Sequence, residues 1–172
     1  MRLYHTGDRE IPCPDLRRGR RNADFGQGFY LTPDRAFTCR WAGRNAVVNT
    51  YDFDETGLTI RRFDRDPDWF DYILRNRRAS DSLTADAVIG PIANDTLFDT
   101  MGIIGSGLLP AEKAWKLLLI GPAYTQVAVK TEKALTQLRW LGAETIAGLD
   151  ETLRRQEEDA YQEAFAAAMD AL

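Results

Sequence analysis

One histidine, His5, stands in the whole sequence, so any histidine-dependent chemistry has to pass through it. It closes the stretch Leu3-Tyr4-His5 immediately before Thr6-Gly7. Taken alone it reads as a strand-end histidine satisfied by backbone groups. As the base of a Ser-His-Asp hydrolase it would want a GxSxG elbow, and the sequence has none. A second candidate lies at residues 24–34, DFGQGFYLTPD, where Gly26 and Gly28 flank Gln27 and lead into Phe29-Tyr30-Leu31. Each glycine alone reads as a bulge or bend, and Tyr30 alone as core packing. Together with His5 and with Trp41 on the segment that follows, they could build a slot for a flat ring. Glycine lets a ligand come against backbone, and aromatic faces stack on the ring.

Other chemistry is narrowed by exclusion. The two cysteines, Cys13 and Cys39, have neither CxxC spacing nor a second histidine to complete a metal cluster, and a reduced cytoplasmic setting is the default for such a chain. No strand leads into GxGxxG or GxxxxGK, the two standard phosphate-cradling loops. A net charge of −4 argues against bulk electrostatic binding of nucleic acid, with RRGRR at 17–21 as a local basic patch. No signal-peptide pattern opens the sequence. No apolar run nears the roughly 20 residues that cross a bilayer, so no membrane partner is expected.

At 172 residues, 44% hydrophobic and 28% charged, the chain fits one soluble domain over residues 1–172. The elements that must position the candidates come in mixed order. Residues 2–5 and 29–31 read as strands, with an irregular loop over 8–23 between them. Thr32 can cap a helix whose first position is Pro33, with Phe37 and Trp41 on one face. Alternation marks a strand over 46–53, and 57–63 reads as its hairpin partner. Trp69, Phe70, Ile73 and Leu74 form one stripe of a helix over 68–78. A short strand follows at 87–89, helices at 95–104 and 110–119, and a strand at 126–131 with Val127 and Val129 inward. Residues 144–172 read as a C-terminal helical extension. Hairpin and helix-separated strands in one chain mean α+β.

LYHTG at 3–7 with DFGQGFYLT at 24–32 resembles the ADP-ribosyltransferase superfamily on its histidine-tyrosine side, that of diphtheria toxin and poly(ADP-ribose) polymerase. RGRRNADFGQGFYLTPD, IGPIAND and KTEKAL are similar to DUF3990, a bacterial family of small proteins grouped with that superfamily. The resemblance implies an ADP-ribosyltransferase-like split mixed β-sheet flanked by helices, with NAD as substrate. It makes His5 the partner of an NAD ribose hydroxyl. The Thr6 backbone, with Gly7 beside it, holds the nicotinamide carboxamide. Tyr30 stacks on the nicotinamide, Trp41 supplies a second aromatic, and Gly28 allows close approach of the strand. Asn94 and Asp95 close IGPIAND and contact ligand or acceptor in this reading; in isolation they read as a turn and helix cap. Arg20 pairs with the pyrophosphate, or belongs to a solvated loop.

Catalytic members place a glutamate at the start of a later strand, and here that position is Gln126, which can hydrogen-bond a hydroxyl but cannot act as a base. Glu132 is the rival, about 20 Å further along an uninterrupted strand. It reads more simply as a helix-start carboxylate after Thr131, so Gln126 is assigned to the site. Two function classes follow. One is a mono-ADP-ribosyltransferase, toxin-like or one half of a toxin–antitoxin pair, with an unidentified acceptor and an antitoxin protein as partners. The other is a non-catalytic NAD or ADP-ribose binding module.

Overall fold

A computed structural model describes residues 1–43, 45–78, 83–93, 106–107, 110, 113, 115–121, 123–148 and 151–171. The chain divides into two compact units, Met1–Pro91 with Tyr124–Leu149, and Ile92–Ala123 with Asp150–Leu172. The described elements are mixed α and β, with two sheets and four α-helices among the described residues.

Both sheets belong to the first unit. β1 (Arg2–Gly7), β3 (Ala46–Phe53) and β7 (Leu138–Ile146) form an antiparallel sheet in the order β1-β3-β7. β2 (Phe29–Leu31), β4 (Ile60–Arg62), β5 (Ala87–Pro91) and β6 (Thr125–Val129) form a second, in the order β2-β6-β5-β4. Only its β4–β5 pair is parallel. An antiparallel bridge between Tyr4 and Thr32 links the two sheets through reciprocal main-chain bonds of 2.8 and 2.9 Å.

Side-chain alternation explains which face is filled. Phe29 and Leu31 of β2, Val127 and Val129 of β6 and Ala87 of β5 turn into one core with Leu3, Tyr51 and Phe53 of the other sheet. Each large apolar side chain so buried stabilises the fold by about 1.5–3 kcal/mol. The opposite face of the second sheet carries Tyr30, Ala128 and Gln126, because Tyr30 pairs with Ala128 and Gln126 stands two residues along the same strand. Helix α2 (Pro67–Arg78) buries Trp69, Phe70 and Ile73, the expected stripe, with Leu74 only half-buried.

Four expectations are corrected. Residues 60–62 do not form a hairpin with β3, whose two edges are taken by β1 and β7. They run parallel to β5 instead, tied there by Asp86, whose N–H donates to the Thr59 carbonyl and whose carboxylate accepts the Thr59 N–H at 2.9 Å. Helix α1 (Arg35–Trp41) starts two residues later than Pro33. The expected cap is spent on strand contacts: Thr32 Oγ1 donates to the Thr125 carbonyl and accepts the Asp34 N–H, while Asp34 Oδ2 accepts the Thr125 N–H. Finally, residues 144–146 finish β7 along β3, so the C-terminal helix α4 spans Glu151–Asp170 only. The strand expected over 126–131 ends at Val129, and Thr131 instead caps α3 (Glu132–Thr136) by accepting the Ala134 N–H.

In the second unit a 3-10 turn over Trp115–Leu119 replaces the described end of the helix expected over 110–119, and it meets α4. The Tyr161 and Phe165 rings of α4 lie 6.1 Å apart. The helix expected over 95–104 lies outside the described residues. No described helix is long and apolar enough to cross a membrane.

Candidate functional site

His5 sits near the end of β1, half-buried, with its ring stacked on Phe29 at 4.5 Å between centroids. Its Nδ1 lies 2.7 Å from the Tyr30 carbonyl oxygen. A carbonyl can only accept, so the proton of the neutral ring is on Nδ1 and Nε2 is left as an acceptor. A Cβ built on Gly7 would stand 3.5 Å from that Nε2, so glycine keeps a side chain off it. Phe29 and Tyr30 project from opposite faces of β2. The His5 ring therefore lies on the Phe29 side and meets Tyr30 through its main chain.

Burial pushes the His5 imidazole below its ordinary range, opposed by the weaker effect of the bond to the Tyr30 carbonyl. A base whose folded pKa is lowered binds fewer protons folded than unfolded, so this contribution to stability is present above the unfolded value and lost as pH falls through the window beneath it. As the only histidine, it gives one set of ring signals in NMR. Their midpoint is expected below about 6.5, the ordinary imidazole value; a midpoint at or above it would contradict this placement.

The Tyr30 hydroxyl reaches back along the chain. It donates to the Gly26 carbonyl at 2.7 Å and accepts the Phe25 N–H at 2.9 Å. Gly26 adopts φ 73°, a left-handed conformation that costs other residues. The Lys130 ammonium donates to the Phe25 carbonyl. The Phe25 ring is fully buried and stacks with Phe63 and with Tyr72 of α2 at 6.2 and 6.0 Å. Residues 24–26 are thus bolted to β2, β6 and α2.

Gln126 is buried at the start of β6, opposite Gly90 of β5. Its Nε2 donates to Asp24 Oδ2 at 2.9 Å and to the Pro91 carbonyl at 3.1 Å. Asp24, with a side chain 7% exposed, is paired on its other oxygen with Arg77 of α2. The Asn76 amide donates to the Asp24 carbonyl at 3.0 Å. His5, Tyr30 and Gln126 are therefore brought into one connected set: His5 to the Tyr30 carbonyl, the Tyr30 hydroxyl to Phe25, and the preceding Asp24 to Gln126. Sequence reasoning missed Asp24. An aspartate before a glycine-broken turn looks like any solvated loop residue, and its partners are 53 and 102 positions away.

The remaining candidates are placed less centrally. Thr6 Oγ1 donates to the Thr38 carbonyl of α1 at 3.3 Å. A Cβ at Gly28 would lie 2.8 Å from the Val129 carbonyl oxygen, so the protein's own backbone already requires glycine there. Arg20 is exposed in the loop before β2, and Glu132 is exposed at the start of α3. Trp41 ends α1, but its side chain lies outside the described residues, as do Asn94 and Asp95. Among the described residues no three histidine, cysteine, aspartate or glutamate side chains group as a metal site.

A family model described as a protein of unknown function, DUF3990, matches residues 1–140. Neither a curated protein nor a solved structure matches the chain.

Proposed function

The chain belongs to the DUF3990 family, and on that premise we propose that it is an NAD-dependent mono-ADP-ribosyltransferase acting in the bacterial cytoplasm, as a toxin-like effector or the toxin of a toxin–antitoxin pair. The observation that carries this reading is the connected set of His5, Tyr30 and Gln126, the three residues that the resemblance to the ADP-ribosyltransferase superfamily singles out. His5 Nε2 accepts from a ribose hydroxyl, the Thr6 main chain with Gly7 receives the carboxamide, and the nicotinamide stacks on Tyr30. Gln126 orients the nicotinamide ribose. The bond between the anomeric carbon and nicotinamide breaks with its electron pair leaving on the nicotinamide nitrogen. The oxocarbenium-like ribose that develops needs fixed dipoles around it. The acceptor's nucleophile then bonds to the anomeric carbon and gives up its proton to water. Gln126 cannot act as a base, so one ADP-ribose is transferred, to an acceptor or to water, without chain growth.

One observation favours a second reading, an NAD or ADP-ribose binding module without turnover: both N–H groups of Gln126 are already used inside the protein. Purified protein incubated with NAD separates the two. Nicotinamide release is expected of the transferase, and labelled NAD in cell extract followed by mass spectrometry then identifies the acceptor. Thermal stabilisation by NAD with no release marks the module, because binding raises apparent stability by mass action. Neither effect would remove both readings.

A further inference from the structure

The interior partners of Gln126 decide which way its amide faces, and this bears on the reading above. A primary amide has two N–H donors on one side of a trigonal carbon and a carbonyl acceptor on the other. Gln126 meets two fixed acceptors, Asp24 Oδ2 at 2.9 Å and the Pro91 carbonyl at 3.1 Å. Nε2 must face them, and Oε1 must turn away. Reversed, Oε1 would confront a carboxylate and a carbonyl with no proton between them. Asp24 is itself held: Arg77 engages Oδ1, with Nε at 3.2 Å, and Asn76 donates to its carbonyl. A glutamate at 126 would have no donor for either acceptor and would set a second carboxylate against Asp24.

We propose that Asp24 is a positioning residue. Clamped by Arg77 and Asn76, it locks the Gln126 amide with Oε1 outward as a pure acceptor. The site therefore takes its ligand through a hydrogen-bond donor, which on the transferase reading is an NAD ribose hydroxyl. Glutamine is the residue that Asp24 requires at this position, and restoring glutamate would damage the site.

The test uses the full chain labelled with nitrogen-15 and follows the Gln126 side-chain amide pair, assigned by its loss in Gln126→Glu. In the wild type these hydrogens are expected to exchange at least about tenfold slower than those of an exposed glutamine, as for any bonded, buried donor. Asp24→Asn has the same size, but Arg77 claims its one oxygen and its Nδ2 then faces Gln126. The amide should reverse and lose protection. For nicotinamide release kcat is expected to fall about a hundredfold, the loss typical of one misaimed hydrogen-bonding group. KM should change by less than about threefold, since ground-state binding is spared. Gln126→Glu alone should be destabilised and inactive. Asp24→Asn/Gln126→Glu, in which donor and acceptor are exchanged, should recover at least about tenfold of the kcat lost by Gln126→Glu, the coupling that a double-mutant cycle reads between direct partners.

Unprotected Gln126 hydrogens in the wild type would overturn the lock. So would an Asp24→Asn protein with unchanged signals and kcat, or a fully active Gln126→Glu. If the wild type releases no nicotinamide, the transferase reading fails by itself, and amide protection with the stability order of the variants still decides the lock. Should Asp24→Asn not fold, a folded double variant beside two unfolded singles supports the proposal, and an unfolded double overturns it.

Discussion

Alanine at Tyr30 is expected to cut nicotinamide release from NAD by at least about a hundredfold, the penalty for reacting groups displaced by roughly 1 Å. Two losses coincide in this one substitution. The ring that the nicotinamide would stack on disappears, a contact worth about 0.5–1.5 kcal/mol beyond its area. So does the hydroxyl that ties the Phe25 N–H and the Gly26 carbonyl to β2. Freeing residues 24–26 also frees Asp24, and with it the support of Gln126. Tyr30→Phe separates the two contributions. It keeps the ring and leaves a buried N–H without a partner, a cost of about 1–3 kcal/mol, so the urea midpoint should drop while NAD binding persists. Full nicotinamide release by Tyr30→Ala would remove the transferase reading; an unchanged midpoint in Tyr30→Phe would remove the bolted loop.

The contrast between what the sequence disclosed and what it concealed follows the range of the interactions. Strand β3 is legible because Tyr51 and Phe53 turn into the core and alternate with Thr50 and Asp52, a local pattern that needs no partner to be recognised. The Tyr30–Gln126 relation is half-legible. Motif positions bring both residues forward, but only the pairing of Tyr30 with Ala128 puts them on one face. β7 is hidden, since its exposed residues Arg139, Leu141 and Glu144 mix apolar with charged and break period-two alternation where the register shifts. Its strand character comes from β3, and from the Trp140 indole donating to Asn49 Oδ1 at 3.1 Å. β4 is half-legible: a strand is expected over 57–63, but its partner is not, because Ile60–Arg62 run parallel beside β5 and not against β3. Asp24 is the limiting case: its role exists only once Arg77, Asn76 and Gln126 have converged on it.

That convergence makes Arg77 the position where a single surface-looking charge should matter most. Methionine at 77 keeps much of the side-chain volume and removes the guanidinium that pairs with a carboxylate 7% exposed. Removing one partner of a buried pair costs about 3–5 kcal/mol, because the remaining charge stays desolvated. The urea midpoint of Arg77→Met should fall accordingly, with an unchanged slope if the folded and unfolded states keep their extent. Arg139 with Asp52 is the internal control. That pair is 72% and 42% exposed, and water screens it, so Arg139→Met should leave the midpoint nearly where it was. Adding Asp24→Asn to Arg77→Met should recover about 1–2 kcal/mol, since a neutral amide is cheaper to bury than a carboxylate that has lost its guanidinium. An Arg77→Met protein as stable as Arg139→Met would mean that Arg77 does not hold Asp24 in solution. The support of Gln126 would then have to come from Pro91 alone, which cannot tell an amide from any other donor.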